Sequence, residues 1–257
     1  MEAMRGRTAW ITGAGSGIGQ AIALAFAGAG IRVAITGRRA AALAETAARV
    51  RAAGGEAFEV PADVTAAAEV AAAHRAVVGA FGDPDILVNN AGGNARNRHW
   101  HALSAEDMGM VLDVNLRGPF LCSLAVLPAM RARRGGMLIH IASLAGTGNF
   151  MVSGPAYSAS KHGARSMSAS INAEEGIHGI RSVCINPGEV ATPILDSRPR
   201  PPSREERAVM IQPEDIAACA LFAASLPARV CIEDMIVVPT DNHGHRAQAQ
   251  AIARMRG

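Results

Sequence analysis

Short apolar segments alternate with alanine-rich segments along most of the chain. The apolar segments are five or six residues long, rich in valine and isoleucine, and apolar on both faces. This pattern is typical of parallel strands that helices cover on both sides. It predicts seven strands: TAWIT (8–12), RVAIT (32–36), EAFEV (56–60), DILVN (85–89), MLIHIA (137–142), RSVCIN (181–186) and DMIVVP (234–239).

The segments after the first three strands have helical periodicity. They predict helices from Ile18 to about Ala29, from about Ala40 to Ala53 and from about Ala66 to Phe81. Strands that alternate with helices favour an α/β fold. We therefore expect a doubly wound parallel sheet of about seven strands with helices on both faces, the Rossmann arrangement.

No linker divides this pattern, so we expect a single domain over residues 1–257. The segment DSRPRPPSREER (196–207) stands out because it is rich in proline and arginine. A polar C-terminal tail is predicted from about 241 to 257.

Composition and charge narrow the function classes. The chain has 257 residues, of which 49% are hydrophobic, enough for a full core in one domain. The net charge of +3 is spread along the chain, and no basic run is interleaved with aromatic residues. We therefore expect no nucleic-acid partner.

The cysteines and the hydropathy pattern bear on the compartment. The four cysteines form no CxxC pair and fall inside apolar segments, which favours a reducing compartment. There is no signal-peptide pattern at the start of the sequence, and no run of about 18 apolar residues that would predict a membrane span. We expect a cytoplasmic protein with no membrane partner. The cysteines are Cys122, Cys184, Cys219 and Cys231.

The first predicted strand runs directly into the glycine-rich segment TGAGSGIG (12–19). Glycines at 13, 17 and 19 let the backbone turn tightly and approach a pyrophosphate, which the N-terminus of the next helix would bind. An ordinary strand–helix turn is the alternative, but the position between the first strand and the first helix favours dinucleotide binding. We expect cofactor contacts from Gly13, Ser16, Gly17, Ile18 and Gly19.

The end of the second strand bears on the form of the cofactor. An acidic residue there would bind the ribose 2′-hydroxyl of NAD, but this chain has Gly37 followed by Arg38 and Arg39. An arginine can bind a 2′-phosphate through two donors, so the sequence favours NADP, with NAD as the alternative. Two points weigh against NADP: the arginines are also compatible with a solvated helix start, and Ser16 stands where a second basic residue would have strengthened the prediction.

The segment PAYSASKHG (155–163) contains the only tyrosine, Tyr157, and the only lysine, Lys161, whereas the other 24 basic side chains are arginines. Residues four apart share a helix face, so these two are neighbours. A nearby ammonium stabilises the phenolate, and the tyrosine can then exchange a proton with a carbonyl or alcohol as a hydride moves. A compact ammonium with three donors can serve the ribose hydroxyls of the cofactor and a proton relay together, which the rigid arginine fork cannot, so arginine would not be a conservative replacement at 161. We therefore expect Tyr157 and Lys161 to contact the cofactor as well as to take part in catalysis.

Five motifs occur in an order typical of one family: TGAGSGIG (12–19), NNAGG (89–93), IAS (141–143), YSASK (157–161) and NPGEVATP (186–193). Over nearly its whole length the chain therefore resembles the short-chain dehydrogenase/reductase family. The resemblance implies that Ser143 hydrogen-bonds the substrate oxygen and that Asn115 holds a water linking Lys161 to solvent. The interval from Ser143 to Tyr157 is one residue longer than is usual, and the loop TGNFMVSG (147–154) is expected to border the pocket.

The same resemblance assigns the remaining cofactor contacts. Asp63 and Val64 would contact the adenine ring. The ribose and diphosphate would lie along the NNAGG motif, and the nicotinamide would be oriented by the segment after the sixth strand. These further residues are Asn89, Ala91, Gly92, Pro187, Gly188, Val190 and Thr192.

The resemblance also implies a substrate-covering lid at about 189–212. Its arginines, at 198, 200, 204 and 207, would either clamp an anionic group or form a solvated surface. The ending DMIVVPTDN (234–242) lacks the DGG that is common in the family. The segments TGRR (36–39) and ARVCIEDMIVVPT (228–240) resemble a branch that includes serine and 3-hydroxy acid dehydrogenases, which supports NADP and a hydroxy-acid substrate. The histidines form no pattern of metal ligands, so we expect no metal.

These observations predict an NADP-dependent oxidoreductase acting on a small carbonyl or alcohol substrate. An epimerase or dehydratase that uses transient oxidation is one alternative, and a non-catalytic dinucleotide sensor is another. The segments from about Ser104 to Arg133 and from Pro155 to His178 carry more apolar surface than one sheet face covers. Because family members pair through these helices, we expect a homo-oligomer, either a dimer or a tetramer.

Overall fold

The computed structural model describes residues 4–197, 200–241 and 252–255. At its centre is a seven-stranded sheet in the order β3-β2-β1-β4-β5-β6-β7, in which every neighbouring pair is parallel. The strands are β1 (Thr8–Thr12), β2 (Arg32–Gly37), β3 (Ala57–Pro61), β4 (Ile86–Asn89), β5 (Gly136–Ile141), β6 (Ile180–Pro187) and β7 (Asp234–Val237).

Helices pack on both faces of this sheet. A π-helical turn, Asp113–Arg117, joins the fourth helix to the fifth without a break. The helices are α1 (Gly17–Gly28), α2 (Ala40–Ala52), α3 (Ala67–Phe81), α4 (Ala105–Leu112), α5 (Gly118–Ala132), α6 (Pro155–Glu175), α7 (Arg204–Ala208) and α8 (Pro213–Ser225).

Successive side chains of the buried strands enter two separate core layers, because strand side chains alternate between faces. Ile11 lies in a layer with residues of α1, α2 and α8. Trp10 lies in the opposite layer with residues of α3, α5 and α6. Both side chains are fully buried. The predicted doubly wound α/β fold with a Rossmann-like sheet is confirmed.

Each predicted strand and helix is present, with its ends within two residues of the prediction. The burial of β7 differs from the prediction of a strand covered on both faces. Asp234 and Ile236 are exposed, while Met235 and Val237 are half-buried. The reason is position: β7 is an edge strand, paired with β6 on one side.

The helical segment 105–132 is the one segment in the described part of the chain long and apolar enough, by length and composition, to cross a membrane. The sequence pattern had no uninterrupted apolar run of that length. In the structure this segment contacts β4, β5, α3 and α6, as the core helix of a globular protein does. The predicted polar tail, about 241–257, lies outside the described residues apart from Asp241 and residues 252–255.

Candidate functional site

A cavity of about 840 Å³ opens at the carboxyl ends of the strands, where the strand order reverses between β1 and β4. In open α/β sheets this reversal creates the crevice in which ligands bind. The predicted site residues on the cavity wall are Gly13, Ser16, Gly17, Ile18, Arg38, Arg39, Asp63, Val64, Ala91, Gly92, Ser143, Tyr157, Lys161, Pro187, Gly188, Val190 and Thr192.

The glycine-rich loop forms one end of this cavity. Gly13 and Gly17 have φ values of +66° and +55°, a region that residues with a Cβ rarely adopt. A Cβ at Gly13 would lie 2.7 Å from the Ala91 Cα, and one at Gly17 would lie 3.2 Å from the Thr192 Cγ2. Glycine at both positions therefore allows the loop to pack closely against Ala91 and Thr192 at this end of the cavity.

The start of α1 fits a dinucleotide diphosphate. Ser16 precedes the helix, and its side chain makes no capping hydrogen bond to the first turn. The first N–H groups of a helix have no partner within it, and they carry the positive end of the helix dipole. A glycine cradle against a helix N-terminus is the arrangement that binds a pyrophosphate.

Two arginines line the wall beside the glycine loop, directly after β2. Arg38 and Arg39 are both exposed. Hydrogen bonds from the Thr65 backbone N–H (2.9 Å) and hydroxyl (2.8 Å) hold the pKa of Asp63 below its usual range, and the charge of Arg38 lowers it further. Arg38 and Asp63 therefore lie on the same part of the wall, which the sequence assigned to the adenosine end of the cofactor.

Tyr157 and Lys161 lie together at the other end of the cavity. Both are on α6, and the Lys161 Nζ is 5.5 Å from the centroid of the Tyr157 ring. Lys161 is buried, and its ammonium donates a hydrogen bond of 3.0 Å to the Ile141 carbonyl oxygen. The four-residue spacing in the sequence therefore places a buried ammonium beside a phenol on the cavity wall.

Ser143 follows β5, and its hydroxyl oxygen accepts a hydrogen bond of 3.1 Å from the Ala145 backbone N–H. That bond uses a lone pair of the oxygen, so the hydroxyl can still donate its own proton. Ser143 lines the same cavity as Tyr157.

Asn115 lies behind the cavity wall, on the π-helical turn between α4 and α5. Its side-chain oxygen accepts from the Gly93 N–H at 2.8 Å, while its amide donates to the Gly93 carbonyl at 2.9 Å and to the Ser160 hydroxyl at 3.1 Å. A Cβ at Gly92 would lie 3.0 Å from the Asn115 oxygen and 3.6 Å from the Lys161 Nζ. Asn115 therefore fixes the NNAGG segment close to the lysine. Short π-helical segments often occur at functional sites, but the sequence pattern does not predict the one at Asp113–Arg117.

Gly19 and Asn89, both assigned to the cofactor from the sequence, are not on the cavity wall. A Cβ at Gly19 would lie 2.4 Å from the Asn90 side-chain nitrogen, so this glycine allows α1 to pack against the loop. The Asn89 side chain is buried and lies 3.2 Å from both the Ser123 hydroxyl and the His140 Nδ1. Asn89 is the last residue of β4, and its side chain points into the core rather than into the cavity.

His140 is a buried histidine close to the catalytic end. Burial lowers its pKa to about 3, and the charge of Lys161 contributes to the lowering. The imidazole is therefore neutral and adds no second positive charge beside Lys161. His140 lies on β5, one residue before Ile141, and its Nδ1 is 3.2 Å from the Asn89 side-chain nitrogen within the core.

The cavity wall near the catalytic end also contains residues that the sequence analysis did not assign individually to the site. Val152 and Ser153 line the cavity, as expected for the loop 147–154. The other wall residues around the catalytic end come from the loop after β4, from α4 and from the segment after β6. They include Asn94, Arg98, Glu106, Met110, Glu189, Ile194 and Leu195.

The arginines of the predicted lid do not line the cavity where they are described. Arg207 forms an ion pair with Asp196 and donates to the Thr192 carbonyl, and Arg200 and Arg204 are exposed. Arg198 lies outside the described residues. The lid reaches the cavity through its first part, Glu189 to Leu195. Within the described ranges, no cluster of three or more His, Cys, Asp or Glu side chains could hold a metal ion.

The chain is similar to known proteins along most of its length. The sequence profile of the short chain dehydrogenase family matches residues 7–202. The chain is 36% identical to the short-chain reductase protein NovJ of Streptomyces niveus, covering 84% of this chain and 86% of the relative. It is 34% identical to a 3-oxoacyl-[acyl-carrier-protein] reductase of Synechocystis sp., covering 90% and 94%.

Solved structures with the same fold include proteins bound to nicotinamide cofactors. A metagenomic short-chain oxidoreductase in complex with NADP matches with a TM-score of 0.81 and 33% identity, covering 93% of this chain and 99% of that one. A 3-ketoacyl-(acyl-carrier-protein) reductase of Brucella melitensis complexed with NADH matches with a TM-score of 0.83 and 30% identity, covering 91% and 98%. The profile match and the relatives above 30% identity along most of the chain show that this protein belongs to the short-chain dehydrogenase/reductase family of NAD(P)-dependent oxidoreductases.

Proposed function

We propose that the protein interconverts a secondary alcohol and a ketone or aldehyde, with NADP as its preferred cofactor and Tyr157 as the general acid and base. One observation carries this proposal: Tyr157 and Lys161 line the same cavity as the glycine-rich loop and Arg38. Proton transfer and dinucleotide binding can therefore take place in one site.

Residues at the first end of the cavity hold the cofactor. The backbone around Gly13 and Gly17 and the N-terminus of α1 would bind the diphosphate. Asp63 and Val64 would hold the adenine ring. When bound, the nicotinamide carries the hydride of the reaction.

Tyr157 moves the proton. In the reducing direction its hydroxyl protonates the substrate oxygen, and in the oxidising direction the phenolate takes the proton back. The Lys161 ammonium lies 5.5 Å from the centroid of the Tyr157 ring, beside the group that exchanges the proton. Ser143 donates a hydrogen bond to the same substrate oxygen, which holds the oxygen in place for the transfer.

Asn115 acts through position rather than by touching substrate. Its three hydrogen bonds to Gly93 and Ser160 tie the loop after β4 to the helix that carries Tyr157 and Lys161. A non-catalytic dinucleotide sensor would not need this set. The presence of Ser143, Tyr157 and Lys161 on one cavity wall favours an enzyme.

Charge at the adenosine end supports NADP. Gly37 leaves no acid to repel a 2′-phosphate, and Arg38 offers a planar pair of donors. Relatives of known structure are complexed with NADP or with NADH, so NAD is the alternative. A hydroxy acid is the substrate class we favour.

A panel of carbonyl compounds tests the function, with oxidation of NADPH followed by its absorbance and NADH run alongside. We expect turnover of at least one carbonyl class and a higher kcat/KM with NADPH. Binding of NADPH without turnover of any carbonyl, together with no oxidation of the matching alcohols, would favour the sensor.

We also propose that the protein assembles as a homo-oligomer in the cytoplasm. Phe120 and Leu124 lie four residues apart on α5 and are 45% and 63% exposed. An apolar helix face of this kind fits a two-fold interface through α5 and α6. On α8 and β7, Phe222 and Ile236 are each 55% exposed, which would suit a second interface in a tetramer.

A further inference from the structure

The catalytic end of the cavity has a buried arginine on its wall. Arg98, in the loop after β4, is 5% exposed and lines the cavity together with Ser153 and Tyr157. Of the charged residues on the described wall, Arg98 and Lys161 are the two that are buried. The remaining wall charges are exposed or half-buried: Arg38, Arg39, Asp63, Glu106, Asp113 and Glu189.

The loop that carries Arg98 is fastened to the start of α6. A Cβ at Gly154 would lie 2.3 Å from the Arg98 carbonyl oxygen, and Gly154 has a φ of +75°. The Asn94 amide donates a hydrogen bond of 2.9 Å to the Ser153 carbonyl oxygen. Ala95 is buried in a small cluster with Ala156, against which Tyr157 packs. Arg98 therefore has a defined position relative to the phenol.

We propose that Arg98 is a specificity-determining residue and that the substrate carries a carboxylate, which the Arg98 guanidinium binds. This inference rests on the proposed function, because it concerns the substrate of that same site. A guanidinium has five N–H donors and no acceptor, so it favours an anionic group over a hydroxyl or an ester. Its planar pair of donors matches the two oxygens of a carboxylate.

The location separates this arginine from the cofactor phosphates. Arg38 follows β2, whereas Arg98 lies beside the start of α6, which follows β5. Between β2 and β5 the sheet has β1 and β4, so the two strands are three spacings, or about 14 Å, apart. Arg98 thus belongs to the substrate end, and its charge selects the substrate rather than the cofactor.

The test uses inert ligands, so that it does not depend on turnover. Binding of 3-methylbutanoate and 3-methylbutanamide, and of 3-phenylpropanoate and 3-phenylpropanamide, is measured calorimetrically on protein saturated with NADP⁺. We expect the wild type to bind the acid of at least one pair about 10- to 100-fold more tightly than the amide. Arg98→Met should lose this preference while it binds the amide as the wild type does. Arg96→Met is the matched control, because Arg96 is exposed in the same loop and is not on the cavity wall.

Arg98→Gln repeats the test with a polar side chain in case the methionine variant does not fold, as judged by circular dichroism and NADP⁺ affinity. No preference for the acid in the wild type, or a preference that survives removal of the charge, would overturn the inference. Turnover of acetoacetate and methyl acetoacetate is measured in parallel. Preference for acids without turnover of these two compounds or of any other carbonyl or alcohol in the panel would overturn the proposed function alone, whereas turnover without charge preference would overturn this inference alone.

Discussion

Replacing the single lysine, Lys161, with arginine separates the effect of its positive charge from the effect of its size and shape at the catalytic end of the cavity. In Lys161→Arg the positive charge remains, but a larger planar group must fit where the ammonium now donates 3.0 Å to the Ile141 carbonyl oxygen. A Cβ added at Gly92 would lie 3.6 Å from the Lys161 Nζ, so that side has room for about one carbon atom, whereas arginine is two heavy atoms larger than lysine. Overpacking of a closed site typically costs about 1–3 kcal/mol.

We therefore expect Lys161→Arg to lose at least about 100-fold in kcat/KM, because proton transfer by a positioned group contributes roughly 10²–10⁴-fold. The melting temperature should also fall, since the cost of overpacking acts on the folded protein alone. Steady-state kinetics with NADPH and a melting curve measure the two effects. Arg75→Lys is the control for exchange of the two basic residues, because Arg75 is exposed on α3.

The kinetic result decides between two explanations of the lone lysine. A variant with kcat/KM within about threefold of the wild type would show that charge alone suffices at this position. The compact ammonium would then have no special role, and the only lysine of the chain would be accidental.

Three further predictions concern the proton, the cofactor and the assembly. Tyr157→Phe should lower kcat by roughly 10²–10⁴-fold with cofactor affinity nearly unchanged, and retention of more than a few per cent of wild-type kcat would refute the general-acid role. Gly37→Asp combined with Arg38→Leu should reverse a preference for NADPH of about one to two decades in Kd, measured by fluorescence, while equal wild-type affinities would mean that the arginine contributes nothing. Leu124→Asp should shift the sedimentation profile at micromolar concentration toward monomer, and a wild type that is already monomeric would contradict the interface.

The positions of the strands follow from the sequence because buried parallel strands are apolar on both faces and stand out from their surroundings. The same rule fails at β7, where the pattern indicated burial but the edge of the sheet leaves Asp234 and Ile236 exposed. The sequence pattern of a strand indicates how hydrophobic it is, whereas the exposure of an edge strand depends on which other elements pack beside it.

The site was predictable where a motif sets the chemistry and less so where tertiary packing does. The glycine loop and the pair Tyr157 and Lys161 depend on short-range spacing, and the structure brings them to one cavity. The inward orientation of Asn89 depends on contacts with Ser123 and His140, which are distant in sequence. The sequence alone does not distinguish Arg98 from other polar loop residues, because its position depends on packing against Gly154.

The order of strands in the sheet constrains how the protein is made. One neighbour of β1 in the sheet is β2, which follows it directly in the sequence. The other neighbour is β4, which lies much further along the chain, and there Ala9 pairs with Ile86. The glycine loop is also held by Asn90, whose amide donates to the carbonyl oxygens of Thr12 and Gly13. A nascent chain therefore leaves one edge of β1 open, and its nucleotide cradle incomplete, until about a third of the protein has emerged from the ribosome. The helix with Tyr157 is synthesised later still, and the segment from Pro187 to Thr192, which is assigned to the nicotinamide, comes after it. Binding of the whole dinucleotide and proton transfer therefore both wait until about three quarters of the chain has been made.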